Sequence, residues 1–173
     1  MRVLFLDRDG IINVNPADGE YVTRLADFIF HNNIFSALRA IVERGFKLFV
    51  ITNQRCIARG MLKENVLRSI HKKMRERMEA EGLAVERIYV CPHDEGACEC
   101  RKPRPGLIYE ACMDYDIDLN RSYLLGNREK DIQAGIAAGV ATNILYSPSG
   151  KYVGKLSPDF IISNFNQLTD IVV

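Results

Sequence analysis

Two aspartates separated by a single residue, Asp7 and Asp9, follow the first apolar run of the sequence. At the end of a strand, carboxylates with this spacing can point toward one site, where one attacks a phosphoryl group and the other transfers a proton. A cation would be needed for a carboxylate to attack an anion. The segment Asp-Arg-Asp-Gly also fits an ordinary turn with solvated charges, so the pair alone leaves both interpretations open.

Two further polar segments follow later apolar runs. The first, with Thr52, Asn53 and Gln54, offers a hydroxyl and two amides that can donate hydrogen bonds to phosphate oxygens. The second, with Arg101 and Lys102 before a proline, suits phosphate binding because arginine acts as a fork and lysine as a point charge. Taken singly, the first segment is better explained as a polar turn and the second as a solvated basic loop.

A fourth segment places Asn127 and Asp131 four residues apart at a predicted helix start. This spacing lets the two side chains present oxygens to one side. The alternative is helix capping, with Asn127 as the cap and with Glu129 and Asp131 near the positive end of the helix dipole.

Three cysteines and a histidine lie within ten residues of one another, namely Cys91, His93, Cys98 and Cys100. A set of three thiolates and one imidazole suits tetrahedral zinc. Four protein ligands leave no position open to substrate, which predicts a structural zinc site that stiffens the loop before the Arg-Lys pair. Chance clustering is the alternative.

The apolar pattern that positions these segments alternates strand and helix. Predicted strands cover residues 3–6, 47–52, 85–90, 123–125, 143–146 and 160–162. Predicted helices cover about 34–42, 66–78, 107–115 and 132–138, with a short helix at the end of the chain. This alternation predicts an α/β fold with a parallel sheet and helices on both faces. Such sheets bind ligands at the carboxyl ends of their strands, where the four polar segments lie.

Length and charge narrow the class of protein. The chain has 173 residues and a formal net charge of +1, which predicts one domain over residues 1–173 and no bulk attraction to nucleic acid or to an acidic membrane. We find no signal peptide and no apolar stretch of transmembrane length. We therefore expect a cytoplasmic protein without structural disulfides, a monomer, whose partner is a small phosphorylated metabolite rather than nucleic acid or membrane.

The four segments in this order, each at the end of its own strand, resemble the four motifs of the haloacid dehalogenase superfamily. Cys-Pro-His and then Cys-x-Cys-Arg-Lys-Pro, together with Thr-Asn-Gln and Ile-Ala-Arg-Gly, resemble more narrowly the D-glycero-D-manno-heptose 1,7-bisphosphate phosphatases and their histidinol-phosphate phosphatase kin. The likeness covers essentially the whole chain. It implies a single Rossmann-like parallel sheet without a large cap domain, a zinc-bound loop, and loops around the site that choose the substrate.

Residue roles are carried over by this resemblance. Asp7 matches the nucleophile and Asp9 the general acid/base. The expected substrate-binding residues are Thr52, Asn53, Gln54, Arg101, Lys102 and Arg128, of which Thr52 and Lys102 would hold the transferring phosphoryl group. The expected magnesium ligands are the Asp7 side chain, the Asp9 backbone carbonyl and Asn127. The expected zinc ligands are Cys91, His93, Cys98 and Cys100.

Three features depart from the family pattern. Position 127 is usually Asp and here is Asn, which predicts weaker magnesium binding. Positions 55 and 56 are usually Ser-Gly and here are Arg55 and Cys56. The loop over residues 15–21 is longer than usual. The changes at positions 55 and 56 and the longer loop both affect which substrate is expected.

The implied function is hydrolysis of a sugar-phosphate monoester through an aspartyl-phosphate intermediate, with Mg²⁺ and Zn²⁺ as cofactors. The implied substrate is a heptose 1,7-bisphosphate, which serves bacterial surface-polysaccharide synthesis. One alternative is a phosphatase for histidinol phosphate or another small metabolite. A second is a binding protein that kept the fold and lost catalysis, an interpretation that Asn127 keeps open. A zinc-finger-like nucleic-acid module is disfavoured by the near-zero net charge and the lack of a basic face.

Overall fold

A computed structural model describes residues 1–17 and 19–173 and contains a six-stranded sheet in which all neighbouring strands are parallel. The strands are β1 (Val3–Leu6), β2 (Lys47–Asn53), β3 (Val85–Cys91), β4 (Tyr123–Gly126), β5 (Thr142–Tyr146) and β6 (Phe160–Ile162). Their spatial order is β3-β2-β1-β4-β5-β6. The chain moves outward from β1 to β3 and then returns to place β4 beside β1, so the strand order reverses between β1 and β4.

Helices separate most of the strands. The α-helices are α1 (Phe35–Glu43), α2 (Glu64–Ala80), α3 (Gly106–Asp114), α4 (Glu129–Ala138) and α5 (Leu168–Ile171). Short 3₁₀ helices cover Leu25–Asp27, Asn32–Ile34, Leu119–Arg121 and Phe165–Gln167. The predicted elements are all present, with end points that differ by a few residues.

The sheet is covered on both faces because successive side chains of each strand point to opposite sides. Leu4 and Leu6 of β1 join one apolar core together with buried side chains of α1, α2 and α5. Val3 and Phe5 join the other core together with buried side chains of α3 and α4. The predicted α/β fold, with a parallel sheet and helices on both faces, is therefore confirmed.

The start of α4 differs from the prediction. The helix begins at Glu129 rather than at residue 132, and its N-cap is Arg128 rather than Asn127. The Asp131 carboxylate accepts hydrogen bonds from the backbone N–H groups of Arg128, at 3.0 Å, and of Asn127, at 3.2 Å. A carboxylate in the first helical turn thus satisfies donors that lie before the helix, and the suggestion that Asn127 caps α4 was wrong.

The connections of the sheet contain no inserted cap domain in the ranges 1–17 and 19–173, in agreement with the prediction. Within the same ranges, no helix combines the length and apolar content needed to cross a bilayer. The long loop predicted over residues 15–21 includes Asp18, which lies outside the described residues.

Candidate active site and metal site

The end of β1 lies at the point where the strand order reverses, and a cavity of about 640 Å³ opens there. The Asp7 backbone N–H donates to Leu125 O of β4 at 3.0 Å, which fixes the end of one strand against the other. The expected site residues that line the cavity are Asp7, Asp9, Asn53, Gln54, Arg101, Lys102, Asn127 and Arg128. Four polar segments that are far apart in sequence therefore share one cavity.

Lys102 lies between two buried carboxylates. Its Nζ is 2.7 Å from Asp7 Oδ1 and 2.8 Å from Asp131 Oδ1, and it also donates to Ile51 O at 2.9 Å. The Lys102 and Asp131 side chains are each only 1% exposed. Burial opposes the charge on Lys102, but Asp131 and Asp7 outweigh burial and raise the pKa of the ammonium group. Lys102 is therefore a fixed cation beside Asp7.

The surroundings of Asp7 disfavour its negative charge. Burial and the neighbouring Asp131 carboxylate raise the pKa of Asp7 to about 6, against the opposing effect of Lys102. A buried carboxylate with this bias gains from any further cation placed beside it. The local charge distribution therefore favours a bound metal ion next to Asp7.

Asp9 has the opposite environment. Its carboxylate accepts from the Arg8 guanidinium at 2.9 to 3.2 Å, from Asn13 Nδ2 at 3.0 Å and from Gln54 Nε2 at 3.0 Å. Burial alone would raise the pKa of Asp9, but the Arg8 charge and these hydrogen bonds hold the pKa below its usual value. Two carboxylates two residues apart are thus biased in opposite directions.

Arg8 is itself held by a residue of α2. Arg8 is completely buried, and its NH1 group lies 3.1 Å from His71 Nε2. Arginine has only donors, so His71 accepts this bond through an unprotonated Nε2. Burial and the Arg8 charge lower the pKa of His71 to about 3, which keeps the imidazole neutral.

The segment after β2 is partly inside the cavity and partly behind it. Thr52 is completely buried, does not line the cavity, and accepts a hydrogen bond from Gln54 Nε2 at 2.8 Å. Asn53 exchanges two hydrogen bonds with the Lys102 backbone, at 2.9 and 3.1 Å. The buried Cys56 thiol donates to Gln54 Oε1 at 3.7 Å. This segment therefore orients Asp9 and the lysine loop.

Asn127 is placed beside the Asp7–Gly10 turn. Its Oδ1 atom is buried and has no hydrogen-bond partner among residues 1–17 and 19–173. Gly10 has a φ of +90°, and a Cβ at this position would overlap the Asn127 carboxamide, so only glycine allows the approach. A buried carbonyl oxygen without a partner, next to a surplus of carboxylates, fits the ligand set of a magnesium ion.

The Cys/His cluster, defined as Cys91, His93, Cys98 and Cys100, lies at the end of β3 and in the loop that follows. Its four candidate ligand atoms all lie within 4.8 Å of one another. The four cysteine and histidine contacts between them measure 3.3 to 3.7 Å, and the thiols are not joined in disulfides. Burial would raise the pKa of Cys98, but hydrogen bonds from Cys100, Cys91 and the loop backbone lower it to about 7. The cluster could hold a metal ion.

Sequence reasoning missed three residues that organise this site. Asp131 was considered only for capping or for an oxygen beside Asn127, whereas it pairs with Lys102. Arg8 and His71, which hold Asp9, were not considered. Arg8 could have been noticed in the sequence, because a charged side chain is unexpected directly after a buried apolar strand. The partner of Arg8 on α2 has no sequence signal, since His71 lies 63 residues away.

Comparison with known proteins identifies the relatives of this chain. The family model described as polynucleotide kinase 3 phosphatase matches residues 2–153. The D-glycero-alpha-D-manno-heptose-1,7-bisphosphate 7-phosphatase of Campylobacter jejuni is 39% identical over 150 residues, which cover 87% of this chain and 85% of the relative. The D-glycero-beta-D-manno-heptose-1,7-bisphosphate 7-phosphatase of Yersinia pestis is 37% identical over 179 aligned positions, which cover 97% and 92%.

A solved structure supports the fold. The D,D-heptose 1.7-bisphosphate phosphatase from B. bronchiseptica, complexed with magnesium and phosphate, matches with a TM-score of 0.85 at 24% identity and covers 99% of this chain and 98% of that chain. The sequence matches cover most of this chain and most of each of the two relatives. This chain therefore belongs to the heptose-1,7-bisphosphate 7-phosphatase family, within the haloacid dehalogenase superfamily of magnesium-dependent phosphoric monoester hydrolases.

Proposed function

We propose that the chain hydrolyses the 7-phosphate ester of a D-glycero-D-manno-heptose 1,7-bisphosphate, with Asp7 as nucleophile and Asp9 as general acid/base. The observation that carries this proposal is the meeting of two carboxylates, Asp7 and Asp9, with the buried Lys102 ammonium group at one end of the 640 Å³ cavity. Without a metal ion the bias runs against these two roles, because burial and Asp131 disfavour the charge on Asp7 while Arg8 favours the charge on Asp9. A magnesium ion beside Asp7 would favour its charged, nucleophilic form. The names of the relatives supply the sugar, and both anomers occur among them.

In the first step, the Asp7 carboxylate attacks phosphorus, the ester P–O bond breaks, and the leaving sugar oxygen takes a proton from Asp9. In the second step, Asp9 accepts a proton from water, the water oxygen attacks the aspartyl phosphate, and inorganic phosphate leaves with Asp7 regenerated. Asp9 needs a proton for the first step although Arg8 holds its pKa low. A dianionic phosphate bound beside Asp9 raises that pKa, because it adds negative charge at short range.

Asp7, the Asp9 backbone carbonyl and Asn127 would hold magnesium, which would neutralise charge on the phosphoryl group. Lys102 fixes the orientation of Asp7 and offers a further positive charge to the transferring group. Thr52 contributes from behind the cavity through Gln54, because the Gln54 amide bonds both Thr52 and Asp9. Arg101 and Arg128 line the cavity and are proposed to contact the substrate.

We further propose that the Cys/His cluster binds one structural zinc ion. A zinc tetrahedron with ordinary bond lengths has S···S edges of about 3.8 Å and S···N edges of about 3.6 Å. The corresponding separations here are 3.3 and 3.5 Å between thiols and 3.4 and 3.7 Å between thiol and imidazole. Four protein ligands complete such a site, so its role is to hold the loop that carries Lys102 into the cavity.

Phosphate release from a substrate panel tests the proposed activity. The panel contains both anomers of the heptose 1,7-bisphosphate, histidinol phosphate and p-nitrophenyl phosphate, each with and without magnesium. We expect magnesium-dependent release of a single phosphate from a heptose bisphosphate, with a higher kcat/KM than for the other esters. A preference for histidinol phosphate would replace the proposed substrate. No release from any ester would support a non-catalytic binding protein.

A further inference from the structure

The cavity carries more positive charge than the phosphoryl-transfer end uses. Lys102 is fully engaged by Asp7 and Asp131. The other cationic side chains among the described residues that line the cavity are Arg55, Arg101, Arg104, Arg128 and Lys130, while Glu20 and Glu95 are the carboxylates of its mouth. A cavity mouth with this excess of cations attracts an anion in addition to the one that reacts at Asp7.

Arg55 follows the Thr52–Gln54 segment directly, so it stands at the mouth beside Gln54 and Asp9. Its Nε donates to the Tyr21 hydroxyl at 2.6 Å, and its guanidinium carbon lies 5.8 Å from the centre of the Tyr21 ring. These contacts fix the side chain through one nitrogen only. Its two terminal nitrogens have no hydrogen-bond partner among residues 1–17 and 19–173.

Arg59, four residues later, shows the contrasting arrangement. Its Nε and NH2 groups both donate to the Asp94 carboxylate, at 2.8 and 3.3 Å, and it does not line the cavity. Arg55 is partly exposed and Arg59 is exposed, and both lie close to the loop that carries Tyr21. The Arg59 guanidinium is therefore paired with the Asp94 carboxylate. The Arg55 guanidinium is oriented by Tyr21, and its two terminal nitrogens are available to a ligand in the cavity.

We infer that Arg55, positioned by Tyr21, forms a second phosphate subsite that binds the phosphate group of the substrate that is not transferred. This inference rests on the proposed function, and it assigns the discrimination between bisphosphorylated and monophosphorylated sugars to Arg55. A guanidinium fork matches the geometry of a phosphate group and keeps its charge at any working pH. The ring of Tyr21 reduces the number of orientations that the fork can adopt, which lowers the entropy cost of binding.

The test compares kcat/KM for a heptose 1,7-bisphosphate with kcat/KM for the matching heptose 7-phosphate, in the complete chain with magnesium. The ratio of the two values reports the contribution of the second phosphate alone. In Arg55→Ala we expect the ratio to fall about 10- to 100-fold, because hydrogen bonds between charged partners are lost. Arg55→Lys keeps the charge and loses the fork, so its ratio falls less. In the control Arg68→Ala, at an exposed arginine that pairs with Glu64 and does not line the cavity, we expect a ratio within about twofold of wild type.

Two results overturn the subsite. One is an unchanged ratio in Arg55→Ala, and the other is an equal fall in Arg55→Ala and in the control Arg68→Ala. A wrong assignment of heptose as the substrate can be distinguished from a wrong assignment of the subsite. For this purpose the same ratio is measured with fructose 1,6-bisphosphate and fructose 6-phosphate. If the chain cleaves neither heptose ester, a fall in the fructose ratio in Arg55→Ala still supports the subsite, and an unchanged fructose ratio removes it.

Discussion

The proposed catalytic edge, defined as Asp7, Lys102 and Asp131 beside the carboxyl end of β1, and the Cys/His cluster hold their polar groups in different ways. At the catalytic edge, Asp7, Lys102 and Asp131 come from three separate polar segments and meet with buried charges at 2.7 and 2.8 Å. In the cluster, four candidate metal ligands come from ten consecutive residues and face one another, and Cys98 also lines the cavity. The first arrangement depends on the packing of the whole sheet, while the second depends on the end of β3 and the loop that follows it.

This difference predicts different modes of failure. Removing Lys102 from the catalytic edge leaves two carboxylates buried without their cation, and the cost spreads to the strands and helices that bury them. Removing one ligand from the cluster frees the loop over residues 91–105 and reaches only one apolar core, the one in which Cys91 is buried, while the other core is left in place. Substitutions in each region can therefore test whether the two sites are coupled only through the loop that carries Lys102.

The largest effect is expected for the nucleophile. We predict that Asp7→Asn lowers kcat more than about 1,000-fold, because a neutral amide is a far poorer nucleophile than a carboxylate. The fold should survive, because Lys102 keeps its pair with Asp131 and one buried negative charge disappears. Phosphate release and thermal melting of the same preparation measure the two effects. A variant with most of the wild-type rate would exclude an aspartyl-phosphate intermediate.

The next effect concerns the shared cation. We predict that Lys102→Met lowers the free energy of unfolding by about 3 to 5 kcal/mol, because Asp7 and Asp131 are left buried without their partner. Activity should also be lost, because the pKa of Asp7 then rises further. Chemical denaturation measures the change. The added substitution Asp7→Asn should recover part of the stability and none of the activity, whereas a double variant as unstable as Lys102→Met would show that packing, not charge, dominates.

The two regions also differ in how far the sequence predicted them. The Cys/His cluster could be read from residue types and spacing because all its members are local. The meeting of Asp7 and Lys102 followed from strand order, since carboxyl ends of parallel strands share one edge. The pairing of Asp131 with Lys102 and of Arg8 with His71 depends on side-chain directions across separate elements, which spacing does not encode. The start of α4 was missed for a local reason, because its first turn, Glu129 to Asp131, is polar and the apolar pattern begins only at Ile132.

Metal removal should affect the cluster region alone. We predict that stripping zinc lowers the free energy of unfolding by about 2 to 3 kcal/mol, similar to other cross-links that close loops of this length. Elemental analysis should find about one zinc per chain before treatment. Amide exchange should accelerate in the loop over residues 91–105 and not in β1 or α1. Cys98→Ser should reproduce the effect, and Cys112→Ser, outside the cluster, serves as the matched control.

The absence of zinc in protein purified without chelators, or a disulfide between Cys98 and Cys100, would contradict the metal site. A loss of stability that extends to both apolar cores would contradict the claim that this region fails locally. Equal effects of Cys98→Ser and Cys112→Ser would indicate that general packing of the thiols matters rather than metal binding.

The smallest effect is expected at Asn127. Asn and Asp have the same shape, so Asn127→Asp replaces the buried Oδ1, which has no partner among residues 1–17 and 19–173, by a charged oxygen. Magnesium prefers anionic oxygens, and one such replacement contributes on the order of 1 to 3 kcal/mol, by analogy with charge-assisted hydrogen bonds. We therefore predict roughly 5- to 150-fold tighter magnesium binding and higher activity when magnesium is limiting.

The same substitution should destabilise the metal-free protein. It adds a carboxylate near Asp7, whose pKa is already raised by burial and by Asp131, and like charges at short range repel. Compared with wild type, the melting temperature of Asn127→Asp should thus be lower without magnesium and higher with magnesium. A purely structural change does not produce this reversal of sign, which we call a crossing. Asn15→Asp, which adds the same charge at the exposed rim of the cavity, is the control and should show no crossing. If Asn127→Asp leaves both the magnesium dependence and the melting behaviour unchanged, Asn127 is not a metal ligand, and the catalytic edge binds its cation through Asp7 and Asp9 without it.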